Sequence, residues 1–277
     1  MDLRNDLERD LVNIADNLSD VLFVSKRRLA AVHACEAHHL AEQRTPFEWS
    51  IPLARGSVSH KAIELSMHLA GQRDPGDLVD EAVAILIDRQ TRVGDFLSTC
   101  GEASRAELRS ESSAMVSSFL DTFPTLRKGW RPATEVSKRV ELCQEKITLS
   151  GKFDLTIGMP NDTTAGRVIV DVKTGGFAPE HREDLRFYAL IETLVTGVPP
   201  LLVATHYIES GRMLEEAITE DVLNSAVRRT TDGIIRLSQL ENEDVEPVRK
   251  PGAACRWCPI SDDCTPGTAW LNDSDGW

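Results

Sequence analysis

The sequence predicts an α/β fold: a core in the order helix, three strands, helix, strand, preceded by a helical region and followed by a cysteine-rich tail. Three observations carry that expectation. Residues 134–143 and 146–157 alternate apolar and polar, the period-two pattern of half-buried strands, and Val168-Ile169-Val170-Asp171-Val172 is a short buried-strand run. Residues 180–196 return to helical spacing through Leu185, Tyr188, Ala189, Ile191, Leu194 and Val195. Leu201–Ile208 is a further strand candidate, so a helix must cross between strands.

Before this core, Leu3, Leu7, Leu11, Ile14 and Leu18 recur three to four apart, which predicts an amphipathic helix over 1–23. Ser25 is placed to cap a short helix ending near Cys35. Residues 57–71, 77–98 and 102–121 have helical spacing, punctuated at Arg73–Gly76 and at Cys100-Gly101. Met159-Pro160-Asn161-Asp162 is a turn between strands, residues 219–240 form a last helix, and the tail from Glu241 to Trp277 is loop-like. The expected organisation is one unit over 1–277: a helical region at 1–131, the α/β core at 132–240, and the tail at 241–277.

With 277 residues, 41% hydrophobic and 27% charged, the composition is globular, which sets aside collagen, wholesale disorder and coiled coil. The N-terminus, MDLRNDLERD, lacks a basic region followed by an apolar stretch, and the longest apolar run, Val198–Ala204, is far too short to span a bilayer. These features point to a soluble, cytoplasmic protein without a membrane partner. The formal net charge of −13 counts at first against nucleic acid, because phosphate binding draws on Lys and Arg. Six cysteines in a reducing compartment suggest metal before disulfide.

Asp171-Val172-Lys173 closes a strand, and residues i and i+2 of a strand share a face, so Asp171 and Lys173 point together. Asp154, in Gly151-Lys152-Phe153-Asp154, lies on the preceding strand, where hairpin pairing can bring the two aspartates side by side. Two carboxylates beside a lysine suit a hard divalent cation such as Mg²⁺, with the lysine orienting water or offsetting charge. An isolated Asp-Val-Lys is as easily a surface charge ladder, and the combination is what raises it above that. His60, near the start of a helix in Arg55-Gly56-Ser57-Val58-Ser59-His60, is as a lone residue most simply structural, but an imidazole joining the carboxylates would bias the site towards Mn²⁺.

Together Gly56-x-x-x-His60, Gly151-x-x-Asp154 and Asp171-x-Lys173 resemble the PD-(D/E)XK nuclease superfamily, specifically its RecB-like branch. The resemblance implies a restriction-endonuclease-like core. It implies His60, Asp154 and Asp171 as ligands of Mg²⁺ or Mn²⁺, Val172 as a main-chain carbonyl ligand, and Lys173 as the catalytic lysine. Glu135, at the start of the first core strand, is expected beside the metal rather than on it. Relatives continue with Gln-x-x-x-Tyr on the next helix, on a face that touches single-stranded DNA. Here Tyr188 matches and Asp184 replaces the glutamine, where it would repel phosphate unless it binds metal or pairs with Arg182 or Arg186; Tyr188, Asp184 and Arg186 are expected at the substrate.

The tail carries Cys255-x2-Cys258-x5-Cys264, three thiols in need of a fourth ligand. The RecB-like branch includes iron–sulfur members, among them AddB-type recombination nucleases and CRISPR-adaptation exonucleases, in which one distant N-terminal cysteine joins three C-terminal ones. By that resemblance Cys35 completes a [4Fe–4S] set, although Glu36 stands where relatives often have proline. Spacing alone leaves four-cysteine zinc open. Cys100 and Cys143, in apolar patterned segments, are expected to be buried thiols.

The function these motifs favour is a metal-dependent DNA nuclease, exonucleolytic on single strands or duplex ends. The alternative is a nuclease-like DNA-binding or assembly module of a repair or defence complex, and a zinc-stabilised regulatory protein is a third. No Gly-x4-Gly-Lys-Ser/Thr loop occurs, so unwinding would need a helicase or recombination partner. Lys26, Arg27, Arg28, Arg44, Arg55, Lys61 and then Arg127, Lys128, Arg131, Lys138 and Arg139 are expected to form a narrow basic track beside the site.

Overall fold

The computed structural model describes residues 2–68, 73–160 and 163–274. Helix α1 (Leu3–Ala15) buries Leu3, Leu7 and Leu11, as their spacing requires. The expected helix over 1–23 ends at Ala15, because residues further on are claimed by strand β1 (Leu22–Ser25). Leu22 and Val24 are buried and pair in parallel with Ile147 and Leu149, a partner far along the chain that local periodicity cannot reveal. Ser25 does cap helix α2 (Lys26–Ala34), its hydroxyl accepting from the Arg28 amide at 3.4 Å.

Helix α3 (Glu36–Arg44) was not anticipated by spacing, and α4 (Ile51–His68) begins before the expected 57; residues 69–71 of that expectation lie outside the described residues. The expected helix over 77–98 is two, α5 (Pro75–Asp88) and α6 (Arg92–Thr99). Gln90 adopts φ 50° between them and the Thr91 hydroxyl caps α6. Gly94 lets α6 fold back, since a Cβ there would stand 2.1 Å from the Leu86 carbonyl oxygen. Helix α7 (Glu102–Thr122) then leads to the core.

The core comprises β2 (Ala133–Leu142), β3 (Ile147–Ile157), β4 (Val168–Lys173), α8 (His181–Thr196) and β5 (Leu202–Tyr207). An additional edge strand, β6 (Arg212–Ala217), pairs antiparallel with β5, and α9 (Glu220–Glu241) follows. The β6 sequence, Arg-Met-Leu-Glu-Glu-Ala, has no period-two alternation to mark it, and charged residues are common on edge strands. The tail is not all loop: it holds a 3₁₀ turn at Ala253–Trp257 and helix α10 (Thr265–Ser274). The turn expected at Asn161-Asp162 and the last residues, 275–277, lie outside the described residues. Cys100 and Cys143 are only partly buried, because α6 ends at Thr99 and β2 at Leu142, which leaves both cysteines one residue past a regular element.

The mixed sheet has order β1-β3-β4-β5-β6, with β2 on the opposite edge of β3. β2 follows β3 from Ala133↔Thr156 to Leu142↔Ile147. The other edge of β3 is shared: β1 pairs with residues 147–150, and β4 pairs only with residues 155–157. Gly151–Asp154 is therefore a gap on that edge. β1 is parallel and β4 antiparallel to β3, so the C-terminal ends of both point into the gap. The helices α1, α8 and α9 pack with one face, burying Phe153, Tyr188 and Leu190, while α4 to α7 bury Val172 and Ile208. Among the described residues no helix is long and apolar enough to cross a membrane.

Candidate active site

The site forms at the gap. In a regular strand Phe153 and Leu155 would share a face. Here Phe153 packs with Tyr188 of α8, whereas Leu155 packs with Val170, Met67 and Phe123 in a separate cluster. The alternation breaks at Asp154. Glu135 stands opposite it in register and holds φ 54°, a left-handed conformation that costs a non-glycine residue about 1 kcal/mol or more and is characteristic of functional sites. The strands part there, and the Val172 amide donates to Asp154 Oδ2 at 2.8 Å instead of to the sheet. Asp154 and Asp171 thus meet at a fork, as the hairpin register requires.

A cleft of about 820 Å³ opens at this fork, lined by His60, Asp154, Asp171, Val172, Lys173 and Glu135, among others. His60, on α4, places Nδ1 3.9 Å from Asp154 Oδ2. Gly56, one turn before it, passes the turn after β4, and a Cβ there would lie 3.6 Å from the Thr174 hydroxyl. Lys173 Nζ lies 2.9 Å from Asp171 Oδ2 and 3.4 Å from Asp184 Oδ2. Glu135 pairs with Lys152. Asp184 therefore serves as a carboxylate partner of Lys173 rather than as a lone acid facing phosphate.

Tyr188 and Arg186 lie off the cleft. Tyr188 is buried, donating its hydroxyl to the Lys152 carbonyl at 2.8 Å, and burial pushes its phenol up to about 12. Arg186 does not pair with Asp184; it is engaged by Glu216 at 2.7 Å and Glu183 at 2.9 Å. Of the expected basic track, Lys26 and Lys61 line the cleft, joined by Lys152 and Arg89. Arg27, Arg28, Arg55, Lys138 and Arg139 are ion-paired outside the cleft with Glu42, Glu241, Glu111, Glu192 and Glu141, and within it Lys26, Lys61 and Lys152 pair with Asp171, Glu64 and Glu135. Sequence neighbours of like charge were split by the fold and satisfied locally.

Lys26, expected only as part of the basic track beside the site, stands at the carboxylates themselves. Its ammonium donates to Asp171 Oδ1 at 2.7 Å and lies 4.7 Å above the Tyr188 ring. The signal was Ser25, read as a cap, but only the parallel pairing Ser25↔Ser150 shows that the next residue enters beside Gly151. Burial raises the Asp171 carboxyl, yet Lys26 and Lys173 outweigh it and hold that group below the usual carboxylate range. Asp154 goes the other way, pushed up by burial and by Asp171 against the pull of His60. Two adjacent carboxylates are thus driven apart in proton affinity, a pattern of acid–base sites. Burial would lower Lys26, but Asp171 more than offsets it and keeps the ammonium charged.

Gly151 is required by this packing. A Cβ there would stand 2.9 Å from Tyr188 Cε1 and 3.1 Å from Phe153 Cε1. Gly151→Ala should therefore lower stability by about 1–3 kcal/mol in urea unfolding and reduce activity, by moving the ring on which Lys26 rests.

Among the described residues no three His, Cys, Asp or Glu side chains are gathered tightly enough to hold a metal as they stand. The donor chemistry fits a divalent cation nonetheless. Asp171 is 1% exposed, its two oxygens face only the Lys26 and Lys173 ammoniums, and a second carboxylate and an imidazole share the cleft.

The cysteines occupy a second place. Cys35, Cys255, Cys258 and Cys264 line one cavity of about 340 Å³. The Lys250 amide donates to Cys35 Sγ and the Gly252 amide to Cys255 Sγ, each at 3.4 Å. A Cβ on Gly267 would stand 3.3 Å from Cys264 Sγ and 3.5 Å from Cys255 Sγ. Burial raises the Cys258 thiol, and the other three sulfurs push it further. Four cysteines lining one cavity are a donor set that fits a bound metal or iron–sulfur group, whose positive charge would be needed to hold the sulfurs deprotonated.

The PD-(D/E)XK nuclease superfamily profile matches residues 24–265, and the chain belongs to that superfamily. No curated protein matches it. Among solved structures, one described as "Putative exonuclease" from Eubacterium rectale aligns over 82% of this chain and 84% of its own, at 15% identity and TM-score 0.49. The protein SSO0001 aligns over 94% of each chain, at 13% identity and TM-score 0.40.

Proposed function

We propose that the protein is a metal-dependent deoxyribonuclease of the RecB-like branch, acting as an exonuclease on single-stranded DNA or DNA ends. The observation that carries this reading is Asp171, buried yet charged, with Asp154, Lys173 and His60 lining one open cleft. Mg²⁺ or Mn²⁺ held by His60, Asp154, Asp171 and the Val172 carbonyl would polarise a phosphodiester oxygen towards attack by water. Lys173 supplies a fixed cation where charge develops on the phosphoryl group, its position set by Asp171 and Asp184. Lys26, Lys61, Lys152 and Arg89 give the strand's phosphates a cationic bed within an acidic chain.

We further propose that Cys35, Cys255, Cys258 and Cys264 hold a [4Fe–4S] cluster that ties the tail to α2 and α3. The whole chain then acts as one unit, with strand separation left to a helicase or a recombination or defence partner.

A second reading, a DNA-binding or assembly module without cleavage, is favoured by the Lys26–Asp171 ion pair, which occupies one oxygen of the central carboxylate. End-labelled DNA with 5′ or 3′ tails, incubated with Mg²⁺, Mn²⁺ or chelator, separates the two. Shortening of the labelled strand in metal alone supports the nuclease, and binding without shortening in any metal supports the module.

A further inference from the structure

Beside the cleft lies a slot that the chemistry above does not use. Its volume is about 490 Å³, within the range of small-molecule sites. Phe177, Pro179, Leu185, Tyr207 and Leu214 give it apolar walls, between the start of α8 and the β5–β6 hairpin. Ala178 lines both slot and cleft. The partition is otherwise a hydrogen-bonded pair: His181 faces the cleft, Tyr207 faces the slot, and His181 Nδ1 lies 3.0 Å from the Tyr207 hydroxyl.

Phe177 distinguishes the slot from an ordinary surface groove. It sits in the turn four positions after Lys173, yet it is 67% exposed, so a large apolar ring stands in water at the mouth of the site. The ring is not loose, because its centroid lies 5.9 Å from that of the buried Tyr207. A held, exposed aromatic beside a strand-cleaving site is a stacking surface. The charges sort the two cavities. The cleft sets Lys26, Lys61, Lys152 and Lys173 among its carboxylates, cations that can meet phosphate, whereas the slot sets Glu183, Glu215 and Glu216 beside Arg182, carboxylates that can accept from ring N–H and amino groups. Arg182 and Arg186 clamp Glu216 at 2.5 and 2.7 Å and so fix one wall.

We propose that this slot takes one unpaired nucleobase of the strand whose phosphate lies at the carboxylates, with Phe177 as the stacking platform. This rests on the nuclease reading and narrows it: the bound end must be unpaired, since a base in a duplex stack cannot enter.

The test is binding in chelator by fluorescence anisotropy, with a labelled oligothymidylate and an otherwise identical strand of abasic tetrahydrofuran residues. The wild type should bind the abasic strand on the order of tenfold more weakly. Phe177→Ala should weaken thymidylate binding towards the abasic level and erase the difference, and Phe177→Trp should restore it. Because Phe177 is exposed, the melting temperature of Phe177→Ala should be unchanged. Equal binding of the two strands by the wild type, no binding of either, or a difference that survives Phe177→Ala overturns the proposal. Metal-dependent cutting of ordinary tailed DNA is scored separately, so the slot can fail while the nuclease stands, and loss of cutting condemns the nuclease reading itself.

Discussion

Asp171→Asn is expected to lower cleavage by at least about 10³-fold while also destabilising the metal-free chain. The first effect follows from the loss of the one carboxylate that is buried, charged and shared by both lysines of the fork. The second follows from what remains. Lys26 is 28% exposed and Lys173 19% exposed; asparagine leaves Lys26 without its carboxylate partner and Lys173 with Asp184 alone. Removing one member of a fully buried ion pair costs about 3–5 kcal/mol, and residual hydration here reduces that to about 2 kcal/mol. Lys26→Met combined with Asp171→Asn should recover part of that stability without recovering cleavage. Urea unfolding of the two single variants and the double variant, beside a cleavage assay, checks both halves. If Asp171→Asn cuts as the wild type does, the fork is not the catalytic site. If the double variant is no more stable than Asp171→Asn, the Lys26 ion pair is not what the asparagine breaks.

The residues at this fork differ in how far the sequence exposed them, and the reason is the range over which each is specified. Asp171 and Lys173 follow from strand periodicity two residues apart, and Asp154 follows from a hairpin between adjacent strands. Lys26 does not, because its place depends on β1 pairing with a segment more than a hundred residues later. A four-residue strand inside an apparently helical stretch has too few alternations to compete with the Leu3–Leu18 spacing before it. β6 was hidden for the opposite reason: Arg212, Glu215 and Glu216 are edge-strand residues without an apolar face to advertise them. The break of alternation at Asp154 was equally invisible, since Glu135 in a left-handed conformation carries no glycine to mark it. His60 was legible as a helix residue near a glycine, but only the packing of α4 over the β4 turn brings it to Asp154.

Cys258→Ala is expected to yield colourless protein with a protease-sensitive tail. Glu36, the residue after Cys35, accepts from Arg236 of α9 at 2.6 Å and from the Val248 amide at 2.7 Å, so the tail is anchored at its root. Beyond Val248 the tail meets α2 again, where the Lys250 ammonium donates to the His33 carbonyl at 3.2 Å, and then enters the thiol cavity, where Cys35 meets the 3₁₀ turn and the start of α10. Protonated thiols make weak hydrogen bonds and little apolar surface, so four of them alone would not hold that segment. A bound cluster would, by joining α2 to both halves of the tail through covalent iron–thiolate bonds. Wild-type protein purified without oxygen should therefore contain iron and absorb near 400 nm, roughly as four-cysteine clusters do. Limited proteolysis should spare its tail and cut Cys258→Ala after about residue 250, as expected where local stability is low. Cys100→Ala, at a half-buried thiol away from the cavity, should keep both colour and tail. Zinc in place of iron, with the tail still protected, would reassign the group and leave the staple standing. A metal-free wild type whose tail is cut as readily as that of the variant would remove the staple altogether. The fork's activity would then have to be independent of the tail, even though α2 carries Lys26 at one end and ends at Cys35.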